Sequence, residues 1–145
     1  MIKETVTYTD YNGTERTEDF YFNFTEAELA EMQLEVDGGL EDKIRQIVNA
    51  NDTSKIIKIF KDTIFLKSYG KKSDDGRRMI KNTEVLDEFT QSPAYSILFM
   101  KYATNAEALS NFINNVIPAD LKERISNMPN ADKVVALPNV NGDNS

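Results

Sequence analysis

Between Lys55 and Lys81 the chain sets nine Lys or Arg residues against three Asp, in the run KIIKIFKDTIFLKSYGKKSDDGRRMIK. Lys71, Lys72, Arg77 and Arg78 form its densest part, with Tyr69 and Lys81 close by. Cations packed this tightly attract carboxylates or phosphates by charge rather than by bond-making. The rest of the chain has the opposite sign. Residues 1–52 hold four basic and thirteen acidic residues, residues 82–145 hold four and eight, and the whole chain carries −7. Charge separated in this way gives a small protein a directional field that orients its partners.

The residue types that usually carry catalysis are missing. The chain has no His and no Cys, which excludes disulfides, thiolate zinc sites, Cys nucleophiles and Ser-His-Asp triads. It also lacks the usual general base near neutral pH. The stretch Ser73-Asp74-Asp75-Gly76 has the flavour of a calcium loop. Setting Gly76 at the obligatory glycine, however, places Lys71 at a ligand position and Asn82 where a bidentate Glu belongs, so it reads as a polar turn. No GxxxxGK[ST] or GxGxxG pattern occurs. Glu41-Asp42 and Asp87-Glu88 are adjacent, so they diverge around a helix and read as solvated surface. No catalytic, cofactor-binding or metal-ligating residue is expected, and the chain is read as a non-enzyme. The acidic total disfavours nucleic acid, whose binding needs a positive surface beyond one patch.

The elements that position the basic run are legible from periodicity. Residues 1–24 read as a β-hairpin, with Ile2, Glu4, Val6 and Tyr8 on one face and Asp10-Tyr11-Asn12-Gly13 as its turn. On the second strand Phe20 and Phe22 alternate with Asp19, Tyr21 and Asn23. Thr25 with Glu28 predicts a capping box, and Phe24 a staple onto Leu29; Asp37-Gly38-Gly39 ends that helix. Leu40, Ile44, Ile47 and Val48 predict a second helix. Asp52 or Thr53 caps a third, which runs to about Tyr69 and stops at Gly70. Lys71 to Gly76 is expected as loop and Arg77 to Lys81 as extended chain.

Asn82 or Thr83 caps a short helix through Phe89, and Ser92-Pro93 starts another. Thr104 with Glu107 predicts a capping box for a helix that Ile117-Pro118 stops, and residues 120–126 a last short turn. The third helix and the one after Pro93 are apolar on most of their circumference, which predicts burial for most of those side chains. Residues 127–145 are rich in Pro, Asn, Asp and Gly and read as a flexible tail, with Val134 to Leu137 as its one apolar patch.

These elements give an α+β fold: an N-terminal β-hairpin followed by a mainly α-helical bundle, as one domain over residues 1–126 with the tail beyond. No apolar run is long enough to span a membrane. The N-terminus MIKETVTYTD lacks a signal-peptide apolar core, so a cytoplasmic location is expected. A partner surface is expected at the basic loop, the hairpin edge or the tail; free hairpin edges also make a homo-oligomer plausible.

Four blocks carry a family resemblance: Asp19 to Asn23, MQLEVDGGLEDKI at 32–44, SYGKKSDDGRRMIKNTEVLDEF at 68–89, and YSILFMKYATNAEALSNFINNVIPADL at 95–121. The chain resembles the tail assembly chaperones of long-tailed bacteriophages, whose genes lie between those of the major tail protein and the tape-measure protein. The resemblance implies non-catalytic binding of the tape-measure protein in the host cytoplasm before the tail tube polymerises, with the major tail protein as a further candidate partner. It also implies absence from the finished virion; in some phages a frameshift yields a longer form. Lys71, Lys72, Arg77, Arg78 and Tyr21 are the expected partner-binding residues. The competing expectations are a structural tail or connector component of the virion and a small DNA-binding regulator.

Overall fold

The chain opens with two eight-residue strands, β1 (Ile2–Thr9) and β2 (Glu15–Phe22). They pair antiparallel from Ile2 against Phe22 to Thr9 against Glu15. The turn between them is tied by Asp10, whose Oδ1 accepts from the amides of Asn12 and Thr14, both at 2.9 Å, while Gly13 takes φ +82°. The structure is a computed structural model, and it describes residues 1–35 and 39–117.

The expected two-stranded hairpin is half of a larger sheet. Tyr69–Lys72 forms β3 and Met79–Ile80 forms β4, and the strand order is β1-β2-β3-β4. Tyr21 pairs with Gly70 and Phe22 with Tyr69. Gly70 is therefore not a helix terminator, and Lys71 and Lys72 lie on a strand rather than in a loop. The reason is packing: a Cβ at position 70 would sit 2.4 Å from Met79 Cγ, so a glycine here lets the Met79 side chain cross the strand.

The helices are α1 (Glu26–Glu35), α2 (Gly39–Asn49), α3 (Thr53–Phe60), a π-helical turn (Lys61–Phe65), α4 (Leu66–Ser68), α5 (Thr83–Thr90), α6 (Pro93–Ala103) and α7 (Ala106–Val116). With the N-terminal β-hairpin they make the α+β fold. The Thr25–Glu28 capping box forms, with the two reciprocal bonds at 2.9 and 3.1 Å. Asp52 caps α3 and Asn82 caps α5. For α7 the cap is Asn105, which accepts from Ala108 N at 3.0 Å, and not the expected Thr104. Thr104 instead turns its hydroxyl back to Met100 O, the alternative that Ser and Thr hydroxyls find at helix ends. Gly39 opens α2 at φ +76°. The Asp37-Gly38 end of the first helix, the side chains of Leu40 and Val48, Pro118, the turn at 120–126 and the tail at 127–145 lie outside the described residues.

The core is aromatic. Phe22 has no exposure, and its ring centroid lies 5.1–5.9 Å from those of Phe65, Phe112, Tyr69 and Phe89. The π turn builds this cluster. Its i→i+5 bonding brings Phe60 and Phe65, which a regular α-helix would splay apart, into a stack at 5.7 Å and 21°. Burying each such ring stabilises the fold by roughly 1.5–3 kcal/mol. The expectation for the helix after Pro93 holds on one side only. Ala94, Leu98 and Tyr102 are buried, whereas Ile97 and Met100 are exposed. Among the described residues no helix is long and apolar enough to cross a membrane.

Candidate functional site

β3, β4 and the turn between them carry the basic residues. The turn is rigidly built from its own polar groups. Ser73 Oγ donates to Asp75 Oδ1 at 2.7 Å and accepts from Arg78 N at 3.0 Å. Asp75 Oδ1 also accepts from Arg77 N at 3.0 Å. Those bonds, the Arg77 amide first and the Ser73 hydroxyl second, hold the Asp75 carboxyl below its usual range. Gly76, at φ +75°, closes the turn by donating to Ser73 O. The carboxylate nearest in sequence to Arg77 is thus spent on the backbone.

The four expected cations end up near one another but not on one face. Lys71 and Lys72 are consecutive on a strand, so they point to opposite sides of the sheet. Lys72 shares its side with Tyr21 and holds its Nζ 5.5 Å from that ring's centroid, within reach of a cation–π attraction. Lys3 lies directly across from Tyr21 on β1, so the ring sits between two lysines on the solvent side of the sheet. Lys71 projects to the helical side. Arg77 and Arg78 are exposed at the hairpin end. Among the described residues no carboxylate lies within ion-pair distance of Lys71, Lys72, Arg77 or Arg78; Lys3, Lys43, Lys55 and Lys67 are also unpaired, but they are scattered, whereas Arg16, Arg45, Lys58, Lys61, Lys81 and Lys101 are paired.

Lys81 leaves the expected cluster. Its ammonium donates to Asn23 O at 2.6 Å, to Glu28 Oε2 at 2.9 Å and to Lys67 O at 3.2 Å. It is a strut, not a recognition cation. Its carboxylate partner lies 53 residues away in the chain, so no local pattern announces it.

Beside Lys71 the sheet and α5 enclose a cleft of about 440 Å³ that the sequence did not reveal. Tyr69 and Phe89, stacked at 4.2 Å, form part of its wall, and Glu18 and Glu88 border it. Burial first, then the negative charge of Glu88 and Glu18, pushes the Tyr69 hydroxyl up to about 12. A second groove, of about 590 Å³, lies between α1, α4 and α5 over the Lys81–Glu28 pair. Chemically the region offers charge attraction, a ring and two concave surfaces, which suits gripping a polypeptide.

Comparison with known proteins adds one match. A family model described as phage tail assembly chaperone matches residues 1–142. No curated protein matches, and no solved structure matches.

Proposed function

This chain belongs to the phage tail assembly chaperone family, and on that premise we propose that it holds the tape-measure protein before the tail tube polymerises around it. The β3–β4 hairpin makes the first electrostatic contact, through Lys71, Lys72, Arg77 and Arg78, with Tyr21 as the ring beside them. One observation carries this reading: those four cations crowd into eight residues on one hairpin, and none of them is ion-paired among the described residues, in a chain that carries −7 overall. Where carboxylates are abundant, cations left without one are available to a partner. The major tail protein is a second partner on the same reading, since tube assembly must displace the chaperone. The site of action is the host cytoplasm, and the mode is binding without catalysis.

Co-expression tests the reading. The tape-measure protein expressed alone aggregates through its exposed apolar stripes; with this chain present it stays soluble and the two co-purify. Mass spectrometry of purified virions then finds no copy of this chain. A fixed copy number in finished particles would instead make the chain a structural tail or connector component.

A further inference from the structure

The outer edge of β1 is open. Asp10 N donates to Thr14 O at 2.8 Å, which makes these two a hydrogen-bonded pair. Such pairs alternate along an antiparallel ladder, so Tyr8, Val6, Glu4 and Ile2 turn their backbone groups inward to β2. The bond from Asn23 N to Ser68 O, also 2.8 Å, gives the same parity on the far side of β2. Lys3, Thr5, Thr7 and Thr9 therefore present N–H and C=O outward. No strand lies beyond β1, and among the described residues these groups have no hydrogen-bond partner. The strand has no Pro and no bulge, and Lys3 is its only cation. Edges normally carry more protection than this.

The helix that packs on this strand carries an exposed apolar stripe. Helix α6 packs on β1, and Lys101 reaches Glu4 at 2.9 Å. Ile97 lies one turn before Lys101, on its side of the helix, and Met100 lies three residues after Ile97, so Ile97 and Met100 form one stripe. They are 47% and 52% exposed.

We infer that two copies of this chain join through their β1 strands, antiparallel about a two-fold axis, and that the Ile97–Met100 stripes of the two α6 helices meet beneath the continuous sheet. The strand's sequence suits self-pairing. With Thr5 opposite Thr7 of the second copy, Lys3 falls opposite Thr9 and Glu4 opposite Tyr8, so no like charges face each other. One strand further in, Thr9 is paired with Glu15 and Tyr8 with Arg16. The second copy's Lys3 thus falls in the row of Glu15 and its Glu4 in the row of Arg16, two strands away, so each row holds opposite charges. A two-fold contact also brings the same apolar stripe from each side at once. The inference rests on backbone parity and α6, and not on the tape-measure reading.

Analytical ultracentrifugation of the full chain tests it. The wild type sediments as a dimer at micromolar concentration. Thr7→Pro removes an N–H that only the second copy uses, a position where an edge strand tolerates Pro, and it weakens dimerisation by about ten-fold or more, roughly 1.4 kcal/mol. Met100→Glu, on a different element, does the same while the far-UV circular dichroism stays that of the wild type. A wild-type chain that is monomeric up to the highest soluble concentration overturns the inference. So does an assembly whose size neither substitution changes. A wild-type dimer that fails to capture the tape-measure protein counts against the proposed function and leaves this inference standing.

Discussion

Lys81 Nζ lies 2.9 Å from Glu28 Oε2, joining the chain just after β4 to the first turn of α1. The same ammonium closes off the carbonyls of Asn23 and Lys67 and lies 5.2 Å from the Phe24 ring centroid. It therefore fixes the basic hairpin to the helices. Replacing it by Met leaves a carboxylate and two carbonyls short of a donor, and such losses at partly buried charged bonds cost about 1.5–3 kcal/mol. We expect Lys81→Met to lower unfolding stability by that amount, read as a shift in urea midpoint with an unchanged m-value.

Gly70 tests whether the sheet extends beyond its first two strands. Met79 Cγ and Sδ would lie 2.4 and 2.8 Å from a Cβ at that position. Gly70→Ala therefore forces Met79 aside and destabilises by about 1–3 kcal/mol, the usual cost of overpacking. Met79→Ala in the same chain recovers most of that loss. A non-additive double-mutant cycle in urea unfolding checks the contact.

Phe22 is the keystone of the aromatic cluster, fully buried against rings from α4's preceding turn, β3, α5 and α7. Phe22→Ala removes a ring and leaves a cavity, at a cost of about 3–5 kcal/mol. A typical domain has about 5–15 kcal/mol in total, so the variant's thermal midpoint falls steeply. Phe22→Leu loses less.

Alkaline pH loosens the fold through its tyrosines. Tyr8 donates to Glu18 at 2.6 Å, and that bond, with burial second, pushes it up to about 12. Tyr69 is pushed equally far by burial and by Glu88 and Glu18. Burial, then its bond to Glu4, raises Tyr102 as well. A folded pKa above the unfolded one stabilises the neutral form, so the contribution is complete below about pH 10 and is lost as pH rises through about 12. Thermal melts should hold steady near pH 9 and fall beyond 10, and Tyr8→Phe should make that fall shallower.

Local chemistry was legible in the sequence, and distant pairing was not. Thr25 with Glu28, Asp52 and Asn82 act on amides two or three residues away, so spacing alone located them. The β1–β2 hairpin announced itself through alternation and Asn12-Gly13. β3 did not, because its four residues contain a glycine and follow an apolar helix, and its partner is the distant end of β2. The π turn follows from how Phe60 and Phe65 meet the core, not from propensity. Of the basic run, the sequence located the cations but not their faces. Strand parity separates Lys71 from Lys72, and a long-range ion pair withdraws Lys81.

On the proposed function, the hairpin's unpaired cations grip the tape-measure protein by charge. Titration calorimetry with purified tape-measure protein, at low and at raised salt, tests it most directly. Exposed charges are screened beyond about 8 Å at physiological ionic strength, so wild-type affinity should weaken as salt rises. The variant with Lys71, Lys72, Arg77 and Arg78 each replaced by Glu should bind about ten-fold more weakly or worse at low salt, with unchanged circular dichroism. Equal affinity of the two proteins, with no salt dependence in either, would contradict the account.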